Sequence, residues 1–440
     1  MIEHLRDAIP HVAIIGGGYS GMAAAVRTIE LGGTVTVFEA ATILGGRARR
    51  IEYAGRVMDN GQHILSGAYR ELLRLMDVVG TSASDYERVP LTLNMPPAFM
   101  LRAPLLPTPL HMVAALLNAR GLRWGDRFAA IKLMSVLKKT DFVVPRDMSV
   151  ASFLKAHRQP TSLIKFLWQP LTISALNTPI ESASAQVFAN VLHDALAGAR
   201  EASDLLLPKV DLSALFPDPA AAWVTKHGGK IVTGMRVSAV EQIKNTVRIV
   251  AKDTATLFDA AIIAVGPHQR AALHIEGAYN DTHHTYEPIV TIYFGFHCAD
   301  SLPTPMLGQA AGLVQWFFDR RAISTASTDT ELVISAVISA SGPHDRLSQD
   351  ELATAALTEL RTHMPSLPMP IWQKVISEKF ATFACTPDAT RPTPRTCFPQ
   401  VWLAGDDVQN PLRQYPATLE GAARNGIQAA ALALASCRGQ

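Results

Sequence analysis

The sequence predicts an α/β fold in which a Rossmann-like, dinucleotide-binding domain is interleaved with an α+β substrate domain. Three observations carry this reading. HVAIIGGGYSGMAAAVRTIELGGTVTVFEA at 11–40 is a strand, a glycine turn, a helix and a second strand that ends on an acid. Far along the chain, VWLAGDD at 401–407 and the alanine-rich PATLEGAARNGIQAAALALA at 416–435 read as a strand and a helix that return to the same domain. The length of 440 residues exceeds one simple core, so two interleaved domains are expected.

Residues 12–15 make a short buried strand, and Gly16, Gly18 and Gly21 supply the G-x-G-x-x-G turn that opens a helix running to about Leu31. Gly16 allows the tight turn. Gly18 lets the backbone approach a pyrophosphate with no Cβ in the way, and Gly21 lets helix and strand pack closely. The helix N-terminus then faces the phosphates, and Tyr19 and Ser20 are assigned to the same cofactor site. Residues 35–38 form the second strand. Glu39 at its end, with Ala40 beside it, can accept hydrogen bonds from both hydroxyls of an adenosine ribose, and an acid there disfavours a 2′-phosphate.

The rest of the chain divides by pattern. Residues 1–81 carry the first cofactor part, including LGGRAR at 44–49 and a hairpin at 51–57. Residues 82–205 are helix-rich and proline-punctuated, a substrate- or membrane-facing region. At 206–270 strands return: HGGK at 227–230 is a turn before Ile231 and Val232, and a strand at 260–265 closes on Gly266-Pro267. This second cofactor part contributes Val237 and Gly266 to the site. At 271–382, β-branched runs at 289–296 and 332–339 precede a helical stretch at 349–364, giving the sheet and helix of the substrate domain, and 383–440 form the third cofactor part. No internal repeat or low-complexity linker is evident.

Gly45-Gly46-Arg47 after the acid, and Gly405-Asp406 before the last helix, resemble segments of the flavoprotein amine oxidases and carotenoid desaturases. The resemblance implies FAD: the Gly-Gly-Arg segment lies along the cofactor, Asp406 hydrogen-bonds the ribityl chain, and the helix opening at Pro416, Ala417 and Thr418 points its N-terminus at the isoalloxazine. It also implies the glutathione-reductase-like type of FAD domain, with the cofactor held extended between two half-sites. MDNGQHIL at 58–65 is the most distinctive stretch. With WQPL at 168–171, NTP at 177–179, AVGP at 264–267, LAGD at 403–406 and PATLEGA at 416–422, the chain from about 10 to about 435 resembles the hydroxysqualene dehydroxylases, also called squalene-associated FAD-dependent desaturases. Gly61, Gln62 and His63 join the cofactor site on that basis. Arg424-Asn425-Gly426 stands where Arg-Ser-Gly is usual, and the loop 409–414 is idiosyncratic, which leaves the lining of the flavin ring open.

What the resemblance implies chemically is reductive dehydroxylation in hopanoid or triterpenoid biosynthesis. The allylic hydroxyl of hydroxysqualene leaves as water, and hydride from reduced FAD replaces it to give squalene. Such a site needs a proton donor at the oxygen, flavin N5 close to the carbon, and apolar and aromatic faces that tolerate a delocalised cation, each aromatic worth about 0.5–2 kcal/mol. His63 is the first candidate for the acid because imidazole titrates near working pH; the alternative is a structural histidine in a buried turn. Asp59 orients His63 or bonds the backbone of its own turn. Gln62 donates to the hydroxyl or the flavin, and Tyr415 flanks the flavin or packs in the core. Trp168 and Asn177 line a substrate tunnel or serve packing. Two other readings stay open: an oxidative relative, either a carotenoid-type desaturase or an amine oxidase, and a flavin-free isoprenoid carrier of the GDP-dissociation-inhibitor type. Only Tyr415 qualifies for an amine oxidase's aromatic cage, and both intact half-sites argue against the carrier.

A net charge of +2 and the lack of a basic, aromatic-interleaved motif argue against nucleic acid as a partner. The four cysteines have no C-x-x-C spacing, so neither a metal site nor a disulfide framework is expected, and a reducing cytoplasm is the simplest compartment. The opening MIEHLRDAIP lacks a signal pattern, and no run of about 18 uncharged apolar residues predicts a membrane span. Residues 100–139 alternate apolar side chains with Arg102, Arg120, Arg123, Arg127, Lys132, Lys138 and Lys139, and Asp126 is the one acid. With Trp124 at the junction, this reads as a helix or helix pair in the headgroup region of an anionic membrane, on its inner face, or as amphipathic helices packed on the rest of the protein. Upstream squalene-synthase-like enzymes are the candidate protein partners.

Overall fold

The computed structural model describes residues 9–275, 285–324 and 331–438; the opening MIEHLRDA lies outside the described residues. Its organising element is a five-stranded parallel sheet in the order Lys230–Val232, Thr34–Phe38, His11–Ile15, Ala260–Ile263 and Val401–Leu403. The near-continuous apolar runs HVAII, AAII and VWL fit a sheet covered on both faces. Alternation along His11–Ile15 divides the core. Val12 and Ile14 pack with the helices Tyr19–Glu30, Pro217–Lys226 and Leu419–Cys437, whereas Ala13 and Ile15 pack with the antiparallel strands Val237–Ile243, Thr246–Ala251 and Thr254–Phe258.

The first and last helices are joined by small residues. Ala23, Ala24, Ala25, Ala429, Ala430 and Ala433 are fully buried, and a Cβ on Gly426 would overlap the Ser20 carbonyl oxygen. Glycine is required there because the two backbones approach too closely for any side chain.

A second, antiparallel sheet runs Met306–Gly308, Trp316–Asp319, Leu332–Ser339, Tyr286–Phe296 and Trp372–Phe383. Ile292, Phe294 and Phe296 turn to one side, against Leu352, Ala356 and Leu360 of the helix Gln349–His363. Trp316, Phe318 and Val337 turn to the other, toward a helical region whose core includes Phe99, Leu133, Trp168 and Phe188. A layer of apolar side chains therefore separates the sheet from the helices.

Several expectations need correction. The region 82–205 opens with three short strands, Tyr86–Val89, Thr92–Met95 and Phe99–Arg102, before its first long helix. The first of these pairs with Leu205–Pro208, more than a hundred residues away, so nothing local announces it. The stretch 100–139 does contain the expected helix pair, Leu110–Asn118 and Trp124–Lys139, preceded by the end of a strand. The last helix starts at Leu419, not at 416: Thr418 accepts a hydrogen bond from the Gly421 N–H at 3.1 Å and caps it, leaving Pro416 outside.

Candidate active site

The N-terminal half of the site forms where the strand His11–Ile15 turns into the helix Tyr19–Glu30. Gly16 sits at φ +110° and donates its N–H to the Phe38 carbonyl at 2.8 Å. Gly18 is the helix N-cap; it has no side-chain cap, and no acid occupies the first turn. A Cβ built on Gly18 meets nothing nearer than the Gly46 Cα at 3.7 Å. The buried Ser20 Oγ has no hydrogen-bond partner among the described residues. An uncapped helix N-terminus, open space at a glycine and an unpartnered hydroxyl together fit a pyrophosphate. Tyr19 contributes only its backbone to this site, because its hydroxyl donates to the Leu212 carbonyl at 2.8 Å in the core. Glu39 accepts N–H groups from Gly17 at 2.6 Å and Ala41 at 2.8 Å, which orients the carboxylate while leaving lone pairs for a ribose. Ala40 beside it is exposed, and Val237 buries its side chain among Ala13, Ile15 and Ile249.

The far half is brought against it by charge. Arg47 donates to Asp406 at 2.6 Å and to the Ala381 carbonyl at 2.7 Å, so residues 359 apart in sequence meet. Asp406 holds the Arg47 guanidinium's pKa above its ordinary value in spite of burial. Gly45, at φ +117°, donates to the Gly17 carbonyl at 2.9 Å and pairs with Gly18. Gly46 and Gly405 also need the left-handed region, at φ +64° and +146°. Asn425 was missed as a site residue: its amide donates to the carbonyls of Gly405 at 2.6 Å and Val408 at 2.8 Å and so shapes the Gly-Asp turn. The one signal for it was that it replaces the usual serine. Gly266 caps the short helix Pro267–Arg270, and Arg270 pairs with Asp407 next to Asp406.

The segment at 58–65 builds a half-buried polar cluster under the antiparallel sheet. Gln62 accepts from Ser335 Oγ at 3.1 Å and from Arg320 at 3.4 Å, and its amide donates to the His63 carbonyl at 3.1 Å. Its backbone N–H reaches Thr291 Oγ1 at 3.4 Å. Arg320, Ser335 and Thr291 gave no sequence signal, because they lie more than 220 residues from Gln62 and only the sheet register aligns them. His63 Nδ1 lies 2.8 Å from the Gly61 carbonyl. That oxygen can only accept, so Nδ1 carries the proton and Nε2 the lone pair. Burial lowers the imidazole pKa, partly countered by Gly61 and reinforced by Arg47.

One expectation changes, and for Trp168 and Asn177 the packing alternative holds. Asp59 neither orients His63 nor bonds its own turn: its Oδ1 accepts the Leu212 N–H at 2.7 Å, and burial pushes its pKa up to about 6. Trp168 is not at a tunnel wall but in the helical core, donating to Gln159 at 2.9 Å and packing edge-on against Phe188. Asn177 is a clamp, donating to Thr382 Oγ1 at 2.9 Å and accepting the Ala340 N–H at 2.7 Å. Tyr415 lies half-buried under the Arg424 guanidinium, 4.9 Å from its ring centroid; burial raises its pKa, and Asp194 beside it adds to the rise. Pro416 is buried and Ala417 half-buried beside it. Among the described residues no cluster of His, Cys, Asp and Glu could hold a metal ion.

A parallel nucleotide-binding sheet with two half-sites for an extended cofactor, together with a half-buried polar cluster and an apolar sheet, defines an FAD-dependent oxidoreductase. The chain belongs to the flavin containing amine oxidoreductase family, whose pattern it matches over residues 19–434. It is similar to the hydroxysqualene dehydroxylase of Rhodopseudomonas palustris, 29% identical over 97% of this chain and 99% of the relative. The hydroxysqualene dehydroxylase of Zymomonas mobilis is 26% identical over 96% and 98%. Among solved structures, the cyclohexylamine oxidase of Brevibacterium oxydans superimposes with a TM-score of 0.69 at 17% identity, covering 98% of this chain and 99% of that one, which shows the fold. FAD is the cofactor, and the flavin-free carrier reading falls away with family membership.

Proposed function

We propose that this oxidoreductase converts hydroxysqualene to squalene, acting in the cytoplasm downstream of squalene-synthase-like enzymes in hopanoid or triterpenoid biosynthesis. The observation that carries the proposal is likeness to hydroxysqualene dehydroxylases over nearly the whole of both chains. The polar segment at 58–65, set beneath an apolar sheet face, supports it. When bound in reduced form, FAD supplies the hydride that replaces the departing hydroxyl, and one further proton completes the water that leaves.

The chain's own residues position the substrate and handle that proton. Ser335 and Arg320 both donate to the Gln62 carbonyl oxygen, which fixes the side-chain amide. His63, held by Gly61, presents Nε2 as the atom that takes up and releases a proton. Trp316, Phe318 and Val337 exclude water from the carbon skeleton. The decisive experiment is anaerobic: the flavoprotein is reduced, hydroxysqualene is added in detergent, and flavin reoxidation is followed while the product is weighed by mass spectrometry. Reoxidation with squalene formed is expected. Flavin that stays reduced would replace the proposal with oxidative chemistry on a polyene or an amine.

A further inference from the structure

Between the strand Phe99–Arg102 and the helix Leu110–Asn118 the chain makes a proline-rich turn with Pro104, Pro107 and Pro109. Its large apolar side chains face solvent: Leu105 is 74% exposed, Leu106 40% and Leu110 56%. Leu105 contributes little to the core, and several exposed leucines this close together mark a contact surface. Beside them opens a cavity of about 570 Å³ lined by Arg88, Arg102, Leu105, Asn118, Arg200 and Asp204. An adjoining hollow, lined by Leu105, Leu106, Thr108, Arg200 and Glu201, continues along the turn.

The charge around this cavity is positive. Arg200 grips the buried Asp204 through two 3.0 Å bonds, and Arg88 donates to the Glu201 carbonyl at 3.0 Å, with Asp204 3.7 Å away. Arg102 is exposed and has no side-chain partner among the described residues. Arg200 also reaches the Glu201 carboxylate through Nε at 3.4 Å, so both acids engage Arg200 and Arg102 is the guanidinium left for a ligand. The following helix, Trp124–Lys139, repeats the chemistry. Trp124 and Phe128 are each 62% exposed one turn apart, Lys132 continues their row, and the Arg127 guanidinium lies 4.5 Å from the centroid of the Trp124 ring. Asp126, the one acid in residues 100–139, is turned inward to the Arg123 N–H and the Ser162 hydroxyl at 3.0 and 2.9 Å. The outward surface of the stretch carries no acid.

We infer that this surface docks the enzyme on an anionic lipid bilayer. Leu105 and Leu106 enter the boundary between headgroups and acyl chains, and Arg102, with Arg88 beside it on the cavity wall, receives lipid phosphates. Trp124 and Phe128 make a second interfacial contact. Exposed apolar tips flanked by arginines match a surface that is oily within and negative at its edge, and guanidinium forks suit phosphate oxygens. The inference locates the membrane contact in particular side chains and does not depend on the dehydroxylation reading, so its test contains no isoprenoid.

Purified holoprotein is floated with vesicles of equal phosphatidylglycerol and phosphatidylcholine, and with vesicles of phosphatidylcholine alone. Flotation with the anionic vesicles is expected, about tenfold weaker partition onto the zwitterionic ones, and release by high salt. The double variant Leu105→Ser, Leu106→Ser and the single variant Arg102→Glu should each lower partition onto anionic vesicles about tenfold, because apolar insertion and charge are both needed for stable anchoring. Flavin absorbance and melting temperature should stay unchanged, since all three side chains are exposed. No flotation of the wild type, or flotation of the leucine variant equal to wild type, overturns the inference. Loss with Arg102→Glu but not with the leucine variant would reduce the contact to surface charge without apolar insertion and overturns it equally.

Discussion

Gly18 and Gly21 are equivalent letters in the motif and unequal positions in the fold. A Cβ at Gly21 would overlap the Gly16 carbonyl oxygen, whereas one at Gly18 meets ordinary van der Waals distances. Gly18→Val should therefore yield folded protein that purifies colourless, and Gly21→Val should fail to fold; flavin at full occupancy in the Gly18 variant would sink the pyrophosphate assignment. Asp59 shows a different separation. It is legible as a polar residue in a distinctive segment, but its partner Leu212 lies 153 residues on and only folding introduces the two. With a folded pKa of about 6 against 3.8, the native state holds the extra proton between those values, so this group's stability contribution is complete below pH 4 and lost as pH rises through 6. A shift of that size is on the order of 2–3 kcal/mol. Asp59→Asn keeps an acceptor for Leu212, so urea unfolding should show that slope between pH 4 and 6 flattened. For His63, burial lowers the pKa, so its charged form is lost as pH rises through a value below the ordinary 6.5. If it is the acid, turnover falls above that point and His63→Ala retains flavin but not turnover. A pH profile identical in the two enzymes would remove it from the mechanism.

The elements were the most legible layer. Strand alternation and glycine punctuation place the parallel strands and the run at 332–339, which the structure realises as Leu332–Ser339. The segments missed were those whose partners are remote, such as Tyr86–Val89, and the long strand Trp372–Phe383, whose polar outer residues hide its period. The last helix shows what a single side chain does for an element. Asn425 reaches back from it to two carbonyls of the Gly-Asp turn. Asn425→Ala leaves both without that donor, at a cost of about 1–3 kcal/mol for the buried groups. Weaker FAD retention should accompany the lower denaturation midpoint, with Asp406 itself intact. Unaltered flavin affinity would confine Asn425 to a structural role.

On the scale of the molecule, the parallel sheet takes its five strands from residues 11–38, 230–263 and 401–403, so no single stretch of chain closes it. Deleting residues 401–440 removes an edge strand, the helix packed on Tyr19–Glu30 and the Asp406 that pairs with Arg47. The remainder should not bind flavin and should aggregate through the uncovered sheet; a soluble, yellow truncation would show that the N-terminal half-site suffices. The sequence by itself determined the nucleotide turn, the alternation of apolar residues and the resemblance, because glycine φ requirements and burial periods are local and are written in adjacent residues. Tertiary structure alone decided that Arg47 meets Asp406, that Ser335 and Arg320 converge on Gln62, and that Asp59 serves Leu212 and not His63. Those contacts depend on strand register and chain crossing, and hydrogen bonds between residues hundreds of positions apart leave no pattern in either neighbourhood.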